Sequence, residues 1–186
     1  MPATSSLRTL GILLLFAMSA CQGQSGNQTQ RDAQQVEQRK QGEVALTITT
    51  KSGQSHDFIA ELAVTPQEQE HGLMGQTSLT DDRGMLFPFA FPAMASFWMK
   101  DTPLPLDLLF IRPDGTIAAI LPGTPNDLHP LSAGEPVSAV LEIRQGRARA
   151  LGISPGDRAQ WGDCEDGKTS PAGVWQADHF CPATPQ

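Results

Sequence analysis

Leu46-Thr47-Ile48-Thr49 alternates apolar and polar residues, the period of a half-buried strand. Lys51-Ser52-Gly53-Gln54 reads as a turn, after which Phe58, Ala60, Leu62 and Val64 fall on one face of a second strand. The two predict a hairpin. Thr65-Pro66-Gln67-Glu68 is a helix start: threonine caps, proline suits the first helical position, and Glu68 completes a capping box. That helix is short and ends near Gly72, with Leu73 and Met74 dropping into the core. Asp81-Asp82-Arg83-Gly84 is a turn into a buried strand, Met85-Leu86-Phe87, and Pro88 to Pro92 is expected to form an aromatic-proline loop.

Phe97-Trp98-Met99 reads as the next strand. Asp107 to Ile111 and Ile117 to Leu121 flank Arg112-Pro113-Asp114-Gly115, a second hairpin signal. Pro122 to Pro136 is rich in Pro, Gly and Asn and reads as a long loop. Ala139 to Ile143 is a strand, Gly146 to Leu151 one or two helical turns, and Ala159 to Trp161 the last strand. Many short strands without a long amphipathic helix or a βαβ rhythm predict a mainly β domain. The expected fold is a compact antiparallel sandwich or partly closed barrel with one or two short helices.

The first residues follow a different pattern. Arg8, the apolar run Leu10 to Met18, and Ser19-Ala20-Cys21 have the three parts of a secretory signal. The run is short of the roughly 20 apolar residues that span a bilayer. Cys21 directly after two small residues resembles the lipobox of bacterial lipoproteins, which implies an acylated thiol, a cleaved signal and a lipid anchor in the cell envelope. In Gram-negative lipoproteins an aspartate in the next position implies inner-membrane retention. By that resemblance Gln22 points to the outer membrane, facing the periplasm. Residues 22–41 are rich in Gln, Ser, Gly, Asn and Thr, with Val36 as their one branched aliphatic residue, a composition that cannot offset its own ordering entropy. The expected organisation is a signal peptide at 1–20, a lipidated flexible linker at 21–42, a β domain at 43–163 and a disulfide-closed C-terminal loop and tail at 164–186.

Charge and cysteines narrow the partners. Without the signal the chain has 12 basic and 20 acidic residues, a net charge near −8, with no basic cluster. That argues against nucleic acid and against anionic lipid as main partners. Arg144, Arg147 and Arg149 read as a solvated face. With Cys21 acylated, Cys164 and Cys181 remain; in an exported protein they form a disulfide, worth about 3 kcal/mol by loop entropy. The competing reading is a reactive thiol or metal ligand, for which a Cys-x-x-Cys spacing is missing.

Several blocks, taken in order, carry a resemblance: Gly72-Leu-Met74, Gly84-Met-Leu-Phe87, Phe97-Trp-Met-Lys-Asp-Thr102, Pro105-Leu-Asp107, Phe110-Ile111, Val140-Leu-Glu142 and Gly156-Asp157. Over Val44 to Trp161 the chain resembles the DUF192 family of small, often exported domains. The resemblance implies a compact, mainly β sandwich-like fold and no reaction, since the family's activity is uncharacterised. Where many relatives have arginine around Gly-Leu-Met, this chain has Gln69, His71 and Gln76, so an anion site there is not expected to carry over.

Candidate chemistry gathers around Trp98. On a strand, Phe97 and Met99 enter the core while Trp98 and Lys100 share the other face, a surface suited to a sugar, an amide or a carboxylate. Asp101 follows, Asp107 lies just past Pro105, and Glu142 interrupts an apolar strand where an unpaired carboxylate is costly to bury. Trp98, Lys100, Asp101, Asp107 and Glu142 are thus the candidate ligand-binding cluster. The structural alternative has Asp107 and Glu142 satisfying loop amides or pairing with Lys100, and Trp98 plugging the core. His56, His71, His129 and His179 lack metal-ligand spacing, and no nucleophile elbow or phosphate loop is present, so neither metal nor cofactor is expected. The leading functional expectation is a non-enzymatic, envelope-anchored binding domain for a small polar or carbohydrate-like ligand. Two others stay open: a hydrolase using Asp107 and Glu142 as an acid-base pair, and a module docking an envelope protein through Phe87 to Pro92.

Overall fold

A computed structural model describes residues 42–164 and 176–182. The expected signal, the acylated Cys21 and most of the linker lie outside the described residues. The elements are β1 (Glu43–Thr49), β2 (Ser55–Leu62), α1 (Pro66–His71), β3 (Arg83–Ala93), β4 (Leu106–Ile111), β5 (Ile117–Gly123), β6 (Val137–Arg144), α2 (Arg147–Ala150) and β7 (Arg158–Trp161). They form a seven-stranded sheet in the order β5-β4-β6-β3-β2-β1-β7. The domain is mainly β, as the alternating pattern implies.

The hairpins β1–β2 and β4–β5 form as expected, and α1 starts at the anticipated capping box. The Thr65 hydroxyl accepts from Glu68 N–H at 3.2 Å, and the Glu68 carboxylate accepts from Thr65 N–H at 2.8 Å. These bonds satisfy helix-end donors that would otherwise stay open, and they hold the Glu68 carboxyl below its usual range.

Three expectations are corrected. The sheet is mixed, because β2 and β3 run parallel with Ala60 beside Gly84 and Leu62 beside Leu86. The segment between them, which includes α1, is long enough for a crossover, so the chain contains one short βαβ unit that its apolar spacing does not announce. Second, Pro88 to Pro92 continues β3 and is not a separate loop. β6 pairs with β3 at Pro88 and again at Ala93 with a register shift between, and Pro92 falls in that irregular stretch. Third, Phe97-Trp98-Met99 is not a strand. It holds to residues 127–131 through a bridge between Phe97 and Leu131 and one further bond, Met99 N–H to Asp127 O at 2.8 Å.

The sheet has two apolar faces. One gathers side chains from all seven strands, among them Leu46, Phe58, Leu86, Leu109, Ile117, Leu141 and Trp161. Around this core the sheet curls until its edges touch: Ile117 N–H donates to Asp157 O, Gly156 N–H to Ile117 O and Ala159 N–H to Gly115 O, each at 2.8 Å. The contact is local, and the sheet is not closed into a barrel. The opposite face carries a second core, with Phe87, Leu106, Leu108, Phe110 and Val140 under Leu73, Met99 and Leu104. Cys164 and Cys181 form the expected disulfide, with Cα atoms 5.5 Å apart. It fastens the segment that places Phe180 in a stack on Trp161, ring centroids 4.4 Å apart.

Candidate functional site

Residues 97–102 lie over the second core, and each of their side chains has a definite job or a definite lack of one. Phe97 stands edge-on between two phenylalanines of the sheet, 5.0 Å from Phe87 and 6.2 Å from Phe110. Such edge-to-face pairs add to area burial and fix ring position. Met99 is 1% exposed. Its seat exists because residue 123 is glycine: a Cβ there would lie 2.5 Å from the Met99 sulfur. With Phe97 and Met99 pinned inward, Trp98 and Lys100 turn outward. This is the alternation expected of a strand, achieved by an irregular segment.

The backbone of this turn is fastened from both sides. Gly75 N–H donates to Asp101 O at 2.8 Å, Asn126 N–H to Thr102 O at 3.1 Å, and the Thr102 hydroxyl to Lys100 O at 3.0 Å. Trp98 is 47% exposed, and the Lys100 ammonium sits 5.4 Å from its ring centroid, within cation–π range. Asp101 has φ +51°, a left-handed conformation that costs a non-glycine residue about 1 kcal/mol. Among the described residues, neither the Lys100 ammonium nor the Asp101 carboxylate has an ion pair or a side-chain hydrogen bond. Trp98, Lys100 and Asp101 are therefore brought together on one rigid turn.

Asp107 and Glu142 are not joined to each other. In the β4–β6 ladder Asp107 stands beside Ile143 and Leu108 beside Glu142. Successive residues of a strand point to opposite faces, so the two carboxyls lie on opposite sides of the sheet. This geometry corrects the acid-base pairing. Asp107 instead accepts from Gly146 N–H at 2.9 Å and Ala148 N–H at 3.2 Å, holding the start of α2 against the sheet. It is one of the loop-amide roles open in the sequence.

Glu142 faces the second core between Met85 and Leu108. It is 4% exposed, and no described group pairs with it, neither Lys100 nor a loop amide. Burial alone pushes its carboxyl up to about 8, so the group is held as a neutral acid at neutral pH.

Of the aromatic run, Phe87 is buried, while Phe91 is 81% exposed. Gln69 uses its side-chain amide to tie α1 to β3, donating to Ala63 O and Pro88 O. Arg144 and Arg147 both bind Asp81, through its carboxylate and its carbonyl, whereas Arg149 lines an open groove of about 740 Å³ beside α2. The groove also takes in Asp107, Ile120, Pro122 and Ile153. No sequence pattern announces the groove, because its walls come from three separate stretches of chain and Arg149 alone carries no signal.

The family model for DUF192, described as "Uncharacterized ACR", matches residues 47–161. The chain belongs to the DUF192 family. The match includes all of residues 97–102 and the buried carboxyls of Asp107 and Glu142. Two crystal structures are similar to this DUF192 chain. One, from Sinorhizobium meliloti 1021 and named there as a candidate transcription regulator, is 42% identical with a TM-score of 0.63, covering 64% of this chain and 93% of its own. The other, a protein of unknown function from Novosphingobium aromaticivorans DSM 12444, is 46% identical with a TM-score of 0.62, covering 64% of this chain and 85% of its own. No curated protein matches the chain.

Proposed function

We propose that this DUF192 protein is a lipoprotein of the cell envelope whose β domain binds a small polar or carbohydrate-like ligand without transforming it. The binding surface is the turn of Trp98, Lys100 and Asp101. The observation that carries this reading is a multiply hydrogen-bonded turn presenting a half-exposed tryptophan and two charged groups that have no ion pair or side-chain hydrogen bond among the described residues. An exposed ring face suits the apolar face of a sugar, and an ammonium and a carboxylate beside it suit hydroxyl and amide groups. Because the turn is already ordered, a ligand would meet little ordering cost.

Glu142, set in the sheet between Met85 and Leu108, is given no contact with the ligand. Asp107 takes no part. The anchor is the acylated Cys21, placed in the outer membrane by Gln22 and facing the periplasm, with the linker carrying the domain away from the lipid. A role in transcription, the one named for the Sinorhizobium relative, is not supported by the acidic charge of this chain. Isothermal titration with soluble cell-wall glycan fragments tests the proposal. Saturable heat, reduced about tenfold or more in affinity by Trp98→Ala, is expected. Heat that is absent for every fragment, or unchanged in the variant, overturns it.

A further inference from the structure

The groove beside α2 has what a second binding site needs. At about 740 Å³ it is of the size that holds small organic molecules, and it is open to solvent. Ile120, Pro122 and Ile153 give it apolar walls. Asp107, 8% exposed, lies in its lining. One oxygen of that carboxylate, Oδ2, holds the two amides at the start of α2. The other, Oδ1, accepts no hydrogen bond from any described residue. That oxygen is left open to a donor brought into the groove.

The groove also takes in Arg149. Its neighbours Arg144 and Arg147 are occupied at Asp81, but the Arg149 guanidinium has neither an ion pair nor a hydrogen bond among the described residues. One cavity thus presents an under-satisfied anion and an uncommitted cation with apolar surface between them. A simple anion would be repelled by Asp107, and a simple cation by Arg149.

We propose that this groove binds a small zwitterion, whose ammonium group meets the open oxygen of Asp107 and whose carboxylate meets Arg149. The site is distinct from the Trp98 turn, since Asp107 lies on the opposite face of the sheet from the second core that the turn covers.

The test follows amide resonances of the purified protein during titration with 4-aminobutyrate and 6-aminohexanoate, each beside its N-acetylated counterpart. At least one of the free amino acids should give saturable shifts at Gly146 and Ala148. N-acetylation, and separately Arg149→Gln, should each weaken that binding about tenfold or more, the loss of one charge-assisted contact. Arg149 is exposed, so its replacement leaves the fold intact, and Trp98→Ala should leave these shifts unchanged. Shifts that never saturate with either probe, or that persist in Arg149→Gln and with the acetylated compounds, overturn the proposal. Failure of the Trp98 reading would leave this result untouched.

Discussion

Glu142→Gln should uncouple stability from pH in a window where the natural protein is sensitive. The Glu142 carboxyl stands between Met85 and Leu108 with 4% exposure and no partner among the described residues, and burial raises it from 4.5 to about 8. Below pH 4.5 the group is protonated in both folded and unfolded chains and adds no pH dependence. Between 4.5 and about 8 the unfolded chain releases the proton while the folded one retains it. The folded state then binds more protons, so stability falls as pH rises, by up to about 1.4 kcal/mol per pH unit. Across the whole window the loss amounts to about 4–5 kcal/mol, a large part of the stability of an ordinary domain.

Glutamine has the shape of the neutral acid and cannot ionise. Urea denaturation of both proteins at about pH 5.5, 6.5 and 7.5 isolates the effect, since every other titrating group cancels in the difference. The stability of the glutamine variant relative to the natural protein should rise by about 2–3 kcal/mol from the lowest to the highest pH. Parallel stability curves would refute the reasoning and mean that Glu142 is solvated or paired in solution.

Asp107→Ala leaves the Gly146 and Ala148 amides without an acceptor, and should cost about 2–4 kcal/mol in urea denaturation. Replacing Cys164 and Cys181 together by serine should cost about 3 kcal/mol, and reduction of the natural protein should reproduce the loss in a thermal melt. Cys21→Ser should move the protein from the membrane to the soluble fraction on cell fractionation, with the lipid missing from the intact mass.

Local signals in the sequence were legible wherever the physics is local. Thr65 and Glu68 announce a capping box because both partners lie within one helical turn. Phe97 and Met99 point inward and Trp98 outward because apolar side chains seek the core even where the backbone leaves the sheet. Cys164 and Cys181 form the pair that a cysteine count without a Cys-x-x-Cys spacing suggests.

What the sequence concealed depends on register. Asp107 and Glu142 look like partners in a list of carboxylates, but a shift of one residue in strand pairing decides whether they share a face, and that shift is written in no single segment. The parallel β2–β3 pairing and the continuation of β3 through Pro88 are likewise set by which strand lies alongside. The groove beside α2 needs β4, β5 and the α2–β7 connection together before it exists.

The central claim is that Trp98, Lys100 and Asp101 are held ready for a ligand. Amide resonances followed during titration with a soluble cell-wall glycan fragment test it most directly, because they report where binding occurs as well as whether it does. The account predicts saturable shifts centred on residues 98–101 and reaching Gly75 and Asn126, whose N–H groups donate into residues 101 and 102. Shifts that leave this turn unmoved while another surface responds would contradict it.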